Sequence, residues 1–580
     1  MEKRSFIDRL FSPLGLTLLA IVALIPGIWS LPLIDRDEPR FAHATVEMMD
    51  RDEWVVPYFN DEYRFDKPPL TYWWMRANFA IFGINEMGAR MHSVQSSLII
   101  SLLLFFFARR LGLDRKMAFL AGAGWLTALQ VLIHSRLAVA DMPLILFIVL
   151  TMATLHQLIH GLGKPIIHHL LLTLWLALGF LAKGPLAYAI PQAALLFTFC
   201  IFWWKARKAN LEEKTELTSQ RGSLWKAQKA FLIALIPSLL LVAIWGIPAL
   251  INTEGAYFGI GIGKHVIERG TGAMNKRFFL PGIYYFLIII PFLLPWTAQL
   301  PATLKKSMQA NSLDCHFLLG WFAAPFLVFS FYATQLPHYI LPGYPAFFLL
   351  LAITFRRHIE LGRFGRIVRN ASLILPAIFG LFLIAIGLSQ ASRGKEALDL
   401  AFMVTLLGGI MLSLAIIGAA AMRREKIARL AIVSAFAAFT IFFTLTTVIG
   451  RHAHLTLRLK EATGIPAGTL AASDYTEPSL VWYYDDFADK EKRGIWSSRS
   501  LDELTPDKDA LTIAINRRWR IDDESTLPLL TLKKNVPFVT DNTEELVKLF
   551  GKERIEQAEV VSGWSPATSS WVESIVLRPN

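Results

Sequence analysis

Thirteen apolar runs, many of them close to the roughly 20 residues a helix needs to cross a bilayer core, fill the first 450 positions and leave few folds open to this chain. They cover about 13–29, 94–107, 117–133, 142–158, 166–181, 186–204, 230–251, 280–300, 317–331, 339–355, 371–388, 401–420 and 430–449. In lipid every backbone polar group needs an internal partner, so runs of this length become helices. The shorter ones extend into their flanks. A mean hydropathy of +0.44 over 580 residues agrees with a polytopic α-helical membrane protein.

Charge tests this count, because Lys and Arg gather in short cytoplasmic loops. Alternate connections are basic: Lys3, Arg4 and Arg9; Arg109, Arg110, Arg115 and Lys116; Lys164; the stretch 205–229; Lys305 and Lys306; Arg356, Arg357, Arg363, Arg366 and Arg369; and Arg423, Arg424, Lys426 and Arg429. The N-terminus is therefore expected inside and the portion after the thirteenth crossing outside. The formal charge of +12 is read as this bias. Dispersed over separate loops, it does not form a nucleic-acid surface. The first run has no small-residue cleavage site and reads as an uncleaved helix. Cys200 and Cys315 fall near the inner ends of different segments, which indicates neither a disulfide nor a thiol site.

The first external loop, about 31–93, is too long for a simple connector. Over 38–49 the residues Phe41, Ala42, Thr45 and Met49 share one helical face, as in a helix lying along the membrane surface. Pro68-Pro69 starts a second helix rich in Tyr and Trp, Gly83 stops it, and Asn85 or Glu86 opens the next, with Glu86 and Arg90 spaced for an i,i+4 ion pair. Two such helices hold Asp37, Glu38, Arg40 and Lys67 near the bilayer boundary. Carboxylates there can accept a proton from an attacking hydroxyl, and the cations can stabilise an anionic leaving group. A plain solvated loop would carry the same charges.

Three further polar positions fall at helix ends on that side: Asp141 after His134-Ser135-Arg136, Lys183 in Ala182-Lys183-Gly184-Pro185, and His338-Tyr339. Singly each suits a cap or a snorkelling side chain. Together they suggest a shared cavity. The glycine-rich loop 252–281 carries Tyr257, His265, Glu268 and Arg269 and could close over a substrate. His265 with one nearby carboxylate is a minimal metal signal. The sequence shows no required cofactor and leaves a divalent metal open. From 451 to 580 the composition shifts to a small soluble α/β domain, with strands expected at 479–484, 511–515, 537–540 and 571–577 and a helix at 542–550.

Asp37-Glu38-Pro39-Arg40-Phe41-Ala42, Phe65-Asp66-Lys67-Pro68-Pro69 with Tyr72-Trp73-Trp74, and Arg90 resemble the first-loop signature of bacterial polyprenyl-phosphate-dependent GT-C glycosyltransferases. Ala140-Asp141-Met142-Pro143, Leu181-Ala182-Lys183-Gly184-Pro185 and Leu336-Pro337-His338-Tyr339-Ile340-Leu341-Pro342 extend the likeness to about residue 355. It is nearest the lipid A aminoarabinose transferases, with protein O-mannosyltransferases more distant. The resemblance implies a GT-C catalytic domain over 1–450, with thirteen membrane helices, followed by a periplasmic domain over 451–580.

It also implies roles. Asp37 and Glu38 are the acidic pair of the catalytic loop, and Asp141 is the second-loop acid. Arg40, Lys67 and Lys183 contact the donor phosphate; His265 and Arg269 stand for the later-loop His and Arg. Asp66, Arg90 and Tyr339 complete the substrate-binding set. Asp66 replaces a Glu of the aminoarabinose enzymes, Arg64 replaces a Tyr, and Arg269 follows His265 by four positions instead of three. The implied reaction is an inverting transfer of a hexose or pentose from a polyprenyl-phosphate donor to a lipid A or protein acceptor at the outer face of the bacterial inner membrane. A transporter or flippase is the competing class, but no internal repeat or interrupted mid-membrane helix is visible. A scaffold would make the loop motifs coincidental.

Overall fold

A computed structural model describes residues 11–35, 37–208, 211–261, 263, 283–310 and 312–355, scattered positions from 363 to 410, and 454–463, 471–473, 478–484, 497–499, 512–516, 551–565 and 570–577. Runs 371–388 and 401–420 lie mostly outside the described residues, and run 430–449, the candidate strand 537–540 and the helix 542–550 lie wholly outside them.

After α1 (Pro13–Leu24) come the loop helix α2 (Asp37–Asp50), the short hairpin β1 (Tyr58–Phe59) and β2 (Glu62–Tyr63), and the second loop helix α3 (Leu70–Phe82). The bundle continues with α4 (Glu86–Arg110), α5 (Arg115–Thr127), α6 (Leu129–His134), α7 (Asp141–Ile159), α8 (Pro165–Lys183), α9 (Leu186–Lys208) and α10 (Leu211–Asn252). It closes with α11 (Ala256–Phe258), α12 (Tyr284–Phe292), α13 (Leu300–Gln309), α14 (Leu313–Ser330) and α15 (Tyr344–Phe355). Seven helices among the described residues are long and apolar enough to cross a membrane. The chain is a polytopic helical membrane protein.

Two expected single runs are broken. Run 117–133 divides at Ala128, whose extended backbone (φ −72°, ψ 132°) separates α5 from α6. Run 280–300 becomes α12, a 3-10 turn at Trp296–Gln299 and the start of α13, because Pro291, Pro295 and Pro301 withhold backbone donors. α10 shows how the bundle meets lipid. Ile233, Ile236, Leu240, Ile244, Ile247 and Ile251 form an exposed stripe at helical spacing, while Ala234, Val242, Trp245 and Ala249 face inward.

The loop helices start and stop on local signals. Gly83 ends α3 at φ +81°, where a side chain would be strained, and the Asn85 carboxamide accepts from the Gly88 N–H at 2.9 Å to cap α4. The face of α2 expected to lie on lipid is covered by protein. Phe41 stacks on Tyr72 of α3 at 5.2 Å between ring centres, and the Thr45 hydroxyl approaches Met75 Sδ.

Beyond residue 454, α16 (Leu455–Thr463), β3 (Ala471–Ser473), α17 (Pro478–Tyr483), β4 (Ser497–Arg499), β5 (Thr512–Asn516), α18 (Lys552–Glu556), β6 (Glu559–Ser565) and β7 (Ser570–Leu577) are described. The five strands pair in the order β4-β3-β5-β7-β6, parallel across β4-β3-β5 and antiparallel across β5-β7-β6. Leu455 and Leu459 of α16 pack on Val561 and Val576. A Cβ at Gly563 would lie 2.6 Å from the Leu455 Cα, so the approach requires glycine. A strand is expected at 479–484, but Pro478–Tyr483 form the helix α17 instead. Pro478 sits at its start, and the Asp35 carboxylate binds the free N–H of Ser479.

Candidate active site

The first loop is anchored from within by Glu38 and Arg90. Glu38 lies on the buried face of α2, three and four residues before Phe41 and Ala42. Its Oε1 accepts from Arg90 Nε at 2.8 Å and the Ala138 N–H at 2.7 Å; its Oε2 accepts from Arg90 Nη2 and the Ile34 N–H, both at 2.8 Å. Arg90 also donates to the carbonyls of Ile28, Leu31 and Pro32, and both side chains are almost wholly buried. These two residues are therefore inside the protein. Glu38, expected to perform chemistry, and Arg90, expected to contact substrate, are each bonded here to the other and to backbone. The anticipated Glu86–Arg90 pair is replaced as well, since Glu86 accepts instead from the Tyr483 hydroxyl at 3.0 Å.

Asp37, one residue earlier on α2, is exposed, and Arg40 is half-buried. Asp37 faces a buried cluster built on Arg64. That guanidinium donates to the Tyr72 hydroxyl at 3.0 Å, pairs with Asp66 at 3.1 Å and lies over the Phe41 ring. Burial opposes the Arg64 charge, but Tyr72, Asp66 and the more distant Asp37 outweigh it and raise its pKa. Burial likewise raises the Tyr72 phenol above its ordinary value. Arg64 stays charged and Tyr72 stays protonated.

Beside this cluster opens a cavity of about 430 Å³. Asp66, Lys67 and Tyr257 line it from the loop side, Lys183 from the end of α8, Trp245 from α10, and Tyr339 from the 3-10 turn Pro337–Gly343. Lys183 reaches the cavity because Gly184 ends α8 at φ +83°, a conformation open to glycine. Its ammonium pairs with Asp141 Oδ1 at 2.5 Å, and His338 Nε2 lies 3.6 Å from the same oxygen. Lys67 Nζ donates to the Asp66 carbonyl at 3.0 Å, and its backbone is held by the Tyr257 hydroxyl, which donates to the Lys67 carbonyl at 2.5 Å. Burial raises the Tyr257 pKa, so that donor persists at high pH. The rest of the wall is apolar, including Phe180, Val242 and Phe329.

The structure thus brings together Asp66, Lys67, Asp141, Lys183 and Tyr339, with Asp37 and Arg40 on the adjoining helix. His265 and Arg269 lie outside the described residues. Trp245 went unnoticed as a lining residue, although it stands on the α10 face opposite the lipid stripe. Among the described residues one trio could offer three metal ligands: His156, His160 and Asp314, with both imidazole Nε2 atoms within 2.8 Å of Asp314 Oδ1. It sits at the far end of α7 from Asp141. The buried Nδ1 of His156 has no partner, so a metal on Nε2 would leave that N–H unpaired. The trio fits an interhelical hydrogen-bonded clamp.

The family described as dolichyl-phosphate-mannose-protein mannosyltransferase matches residues 16–249. An undecaprenyl phosphate-alpha-4-amino-4-deoxy-L-arabinose arabinosyl transferase from Enterobacter sp. (strain 638) is 31% identical over 348 residues, 58% of each chain. Its namesake from Yersinia pestis (strain Pestoides F) is 28% identical over 353 residues, 59% of this chain and 60% of that one. The matched region thus spans under two thirds of these relatives' length. The crystal structure of ArnT from Cupriavidus metallidurans bound to undecaprenyl phosphate superimposes with a TM-score of 0.67 over 97% of both chains at 17% identity, a likeness of fold. Over part of its sequence, and in its fold, the chain is thus similar to polyprenyl-phosphate-dependent glycosyltransferases.

Proposed function

We propose that the chain transfers a sugar from a polyprenyl-phosphate donor to lipid A at the periplasmic face of the inner membrane, inverting the anomeric centre. The observation that carries this reading is the cavity itself: two lysines, Lys67 and Lys183, with Asp66, line a mostly apolar and aromatic space that borders the membrane helices. That shape suits a phosphate ester of a long hydrocarbon. The isoprenoid lies along Val242, Phe180 and Phe329, and each CH₂ removed from water contributes about 0.8 kcal/mol. Lys183, one ammonium proton on Asp141, has two further donors for the phosphate.

The acceptor oxygen attacks the anomeric carbon, the bond from that carbon to the donor phosphate oxygen breaks, and polyprenyl phosphate leaves with the electron pair. Lys67, Lys183 and Arg40 stabilise the growing leaving-group charge. Asp37 takes the proton of an acceptor hydroxyl; an ionised acceptor phosphate needs only orientation. Glu38 and Arg90 hold the turn that carries Asp37. Asp66, Tyr339, His265 and Arg269 contact the sugar or the acceptor. Thirteen crossings over 1–450, an internal N-terminus and a periplasmic α/β domain at 451–580 complete this reading, in line with the alternation of basic loops.

The test is transfer itself. Purified protein given undecaprenyl phosphate carrying radiolabelled aminoarabinose should move label into lipid A and release undecaprenyl phosphate. Failure to do either with this donor and with a polyprenyl-phosphate hexose would overturn the proposal.

A further inference from the structure

Residues 33–35, which lead directly into Asp37, are bonded to a part of the chain some 450 positions away. The Asp35 carboxylate accepts from the Ser479 N–H at 2.7 Å and from the Ser479 hydroxyl at 2.6 Å. That hydroxyl also lies 2.8 Å from Thr456 Oγ1. One turn later on α17 the Tyr483 hydroxyl accepts from the Leu33 N–H at 2.8 Å and donates to Glu86. Between them Trp482 is buried against Phe79 of α3, in the apolar cluster that holds Phe41 and Tyr72. The first turn of α2 is thus fixed on both sides of Asp37, by Ser479 and Tyr483 before it and by Arg90 after it.

The bonding is directional. Asp35 is buried, and a buried carboxylate that accepts two short hydrogen bonds is held closely in one place. A general base or charge-orienting group must be placed that closely, since small misplacement from a remote change can cost about 10²-fold in rate. The packing of Trp482 and Leu480 would hold the two parts together without these bonds. What the hydroxyls add is the placement of the turn.

We propose that the segment 478–483 is a positioning element for the first-loop carboxylate, with Ser479 and Tyr483 as positioning residues that act through Asp35 and Leu33 on Asp37. This rests on the reading of Asp37 given under the proposed function. It makes the C-terminal part a working component of the site.

Release of undecaprenyl phosphate from labelled donor with lipid A present would be measured for Ser479→Ala, Ser479→Thr and Tyr483→Phe, each alone and combined with Asp37→Asn. Ser479→Ala and Tyr483→Phe should lower kcat about 10-fold or more, with the KM for donor near wild type and only the modest fall in melting temperature that a lost buried hydrogen bond brings. Ser479→Thr, which keeps the hydroxyl, should recover most of the rate. In the Asp37→Asn background neither change should reduce turnover further, because the group they place is gone. Wild-type kcat in both single variants, or full additivity with Asp37→Asn, overturns the positioning role while leaving the proposed function intact. A rate lost only in step with the melting temperature also overturns it. Absence of turnover in the wild-type protein instead overturns the reading of Asp37 beneath it.

Discussion

Replacing Arg90 by Ala tests whether the first loop is built around a buried ion pair or around a substrate contact. In the folded chain the wholly buried Arg90 supplies two charge-assisted hydrogen bonds to Glu38 and donates to three backbone carbonyls, those of Ile28 and Pro32 buried and that of Leu31 partly so. Its removal leaves Glu38, 2% exposed, with the N–H groups of Ile34 and Ala138 but no countercharge. Breaking a buried pair by deleting one partner costs about 3–5 kcal/mol, and each stranded carbonyl adds about 1 kcal/mol where water cannot reach it. The loss is therefore a large part of the stability of a typical domain. The sign reverses in part when both charges go. Glu38→Leu with Arg90→Leu should be less destabilised than the sum of the single variants by at least about 1 kcal/mol. Thermal melting of detergent-purified protein, with monodispersity by gel filtration, reads both effects. An Arg90→Ala protein that melts like wild type yet no longer binds undecaprenyl phosphate would refute the structural assignment and return Arg90 to the substrate.

Lys67→Ala should weaken undecaprenyl phosphate binding about 10-fold or more while leaving the melting temperature unchanged, since its ammonium faces the cavity; equal affinity by tryptophan quenching would remove Lys67 from the donor site. His454 is buried beside Tyr483, and burial lowers its pKa from 6.5 to about 4. Its neutral form is the folded one, so its contribution is complete above about pH 6.5 and is lost as pH falls towards 4. The drop in melting temperature between pH 7 and pH 5 should accordingly shrink in His454→Phe, and an undiminished drop would dismiss this histidine as its source. A reporter fused after residue 580 should be active only outside the cytoplasm, whereas cytoplasmic activity would overturn the orientation read from the basic loops.

The fold class was legible because lipid imposes a plain rule, and α7, α8 and α9 fall close to where run length puts them, whereas α10 ends with its run but begins at Leu211, inside the stretch 205–229 read as a basic loop. The breaks at Ala128 and at Pro291 to Pro301 were harder to see, because hydropathy counts apolar residues and is blind to backbone donors. At the site, Lys183 and Asp141 were found through their shared side of the bundle, but their pairing depends on where α7 and α8 cross, which one sequence does not encode locally. Glu38 was grouped with Asp37 as one acidic pair because spacing along the chain does not separate Asp37 from its neighbour. The signal was present in the helical period: Glu38 falls on the stripe of Phe41, Ala42 and Thr45, and a carboxylate there must be buried and paired. Residues 478–483 misled for the opposite reason. Leu480, Val481, Trp482 and Tyr483 favour a strand by propensity, and a carboxylate from Asp35, far away in sequence, caps them as a helix.

In the proposed reaction an exposed carboxylate at the start of α2 serves sugar transfer from a donor held in the cavity lined by Lys67 and Lys183. The most direct measurement is single-turnover release of undecaprenyl phosphate by Asp37→Asn, a change that keeps size and hydrogen bonding and removes the charge. General acid–base catalysis typically contributes about 10²–10⁴-fold, so the rate should fall by that order while donor affinity and melting temperature stay at wild-type values. Release at the wild-type rate by a correctly folded Asp37→Asn protein would contradict the account.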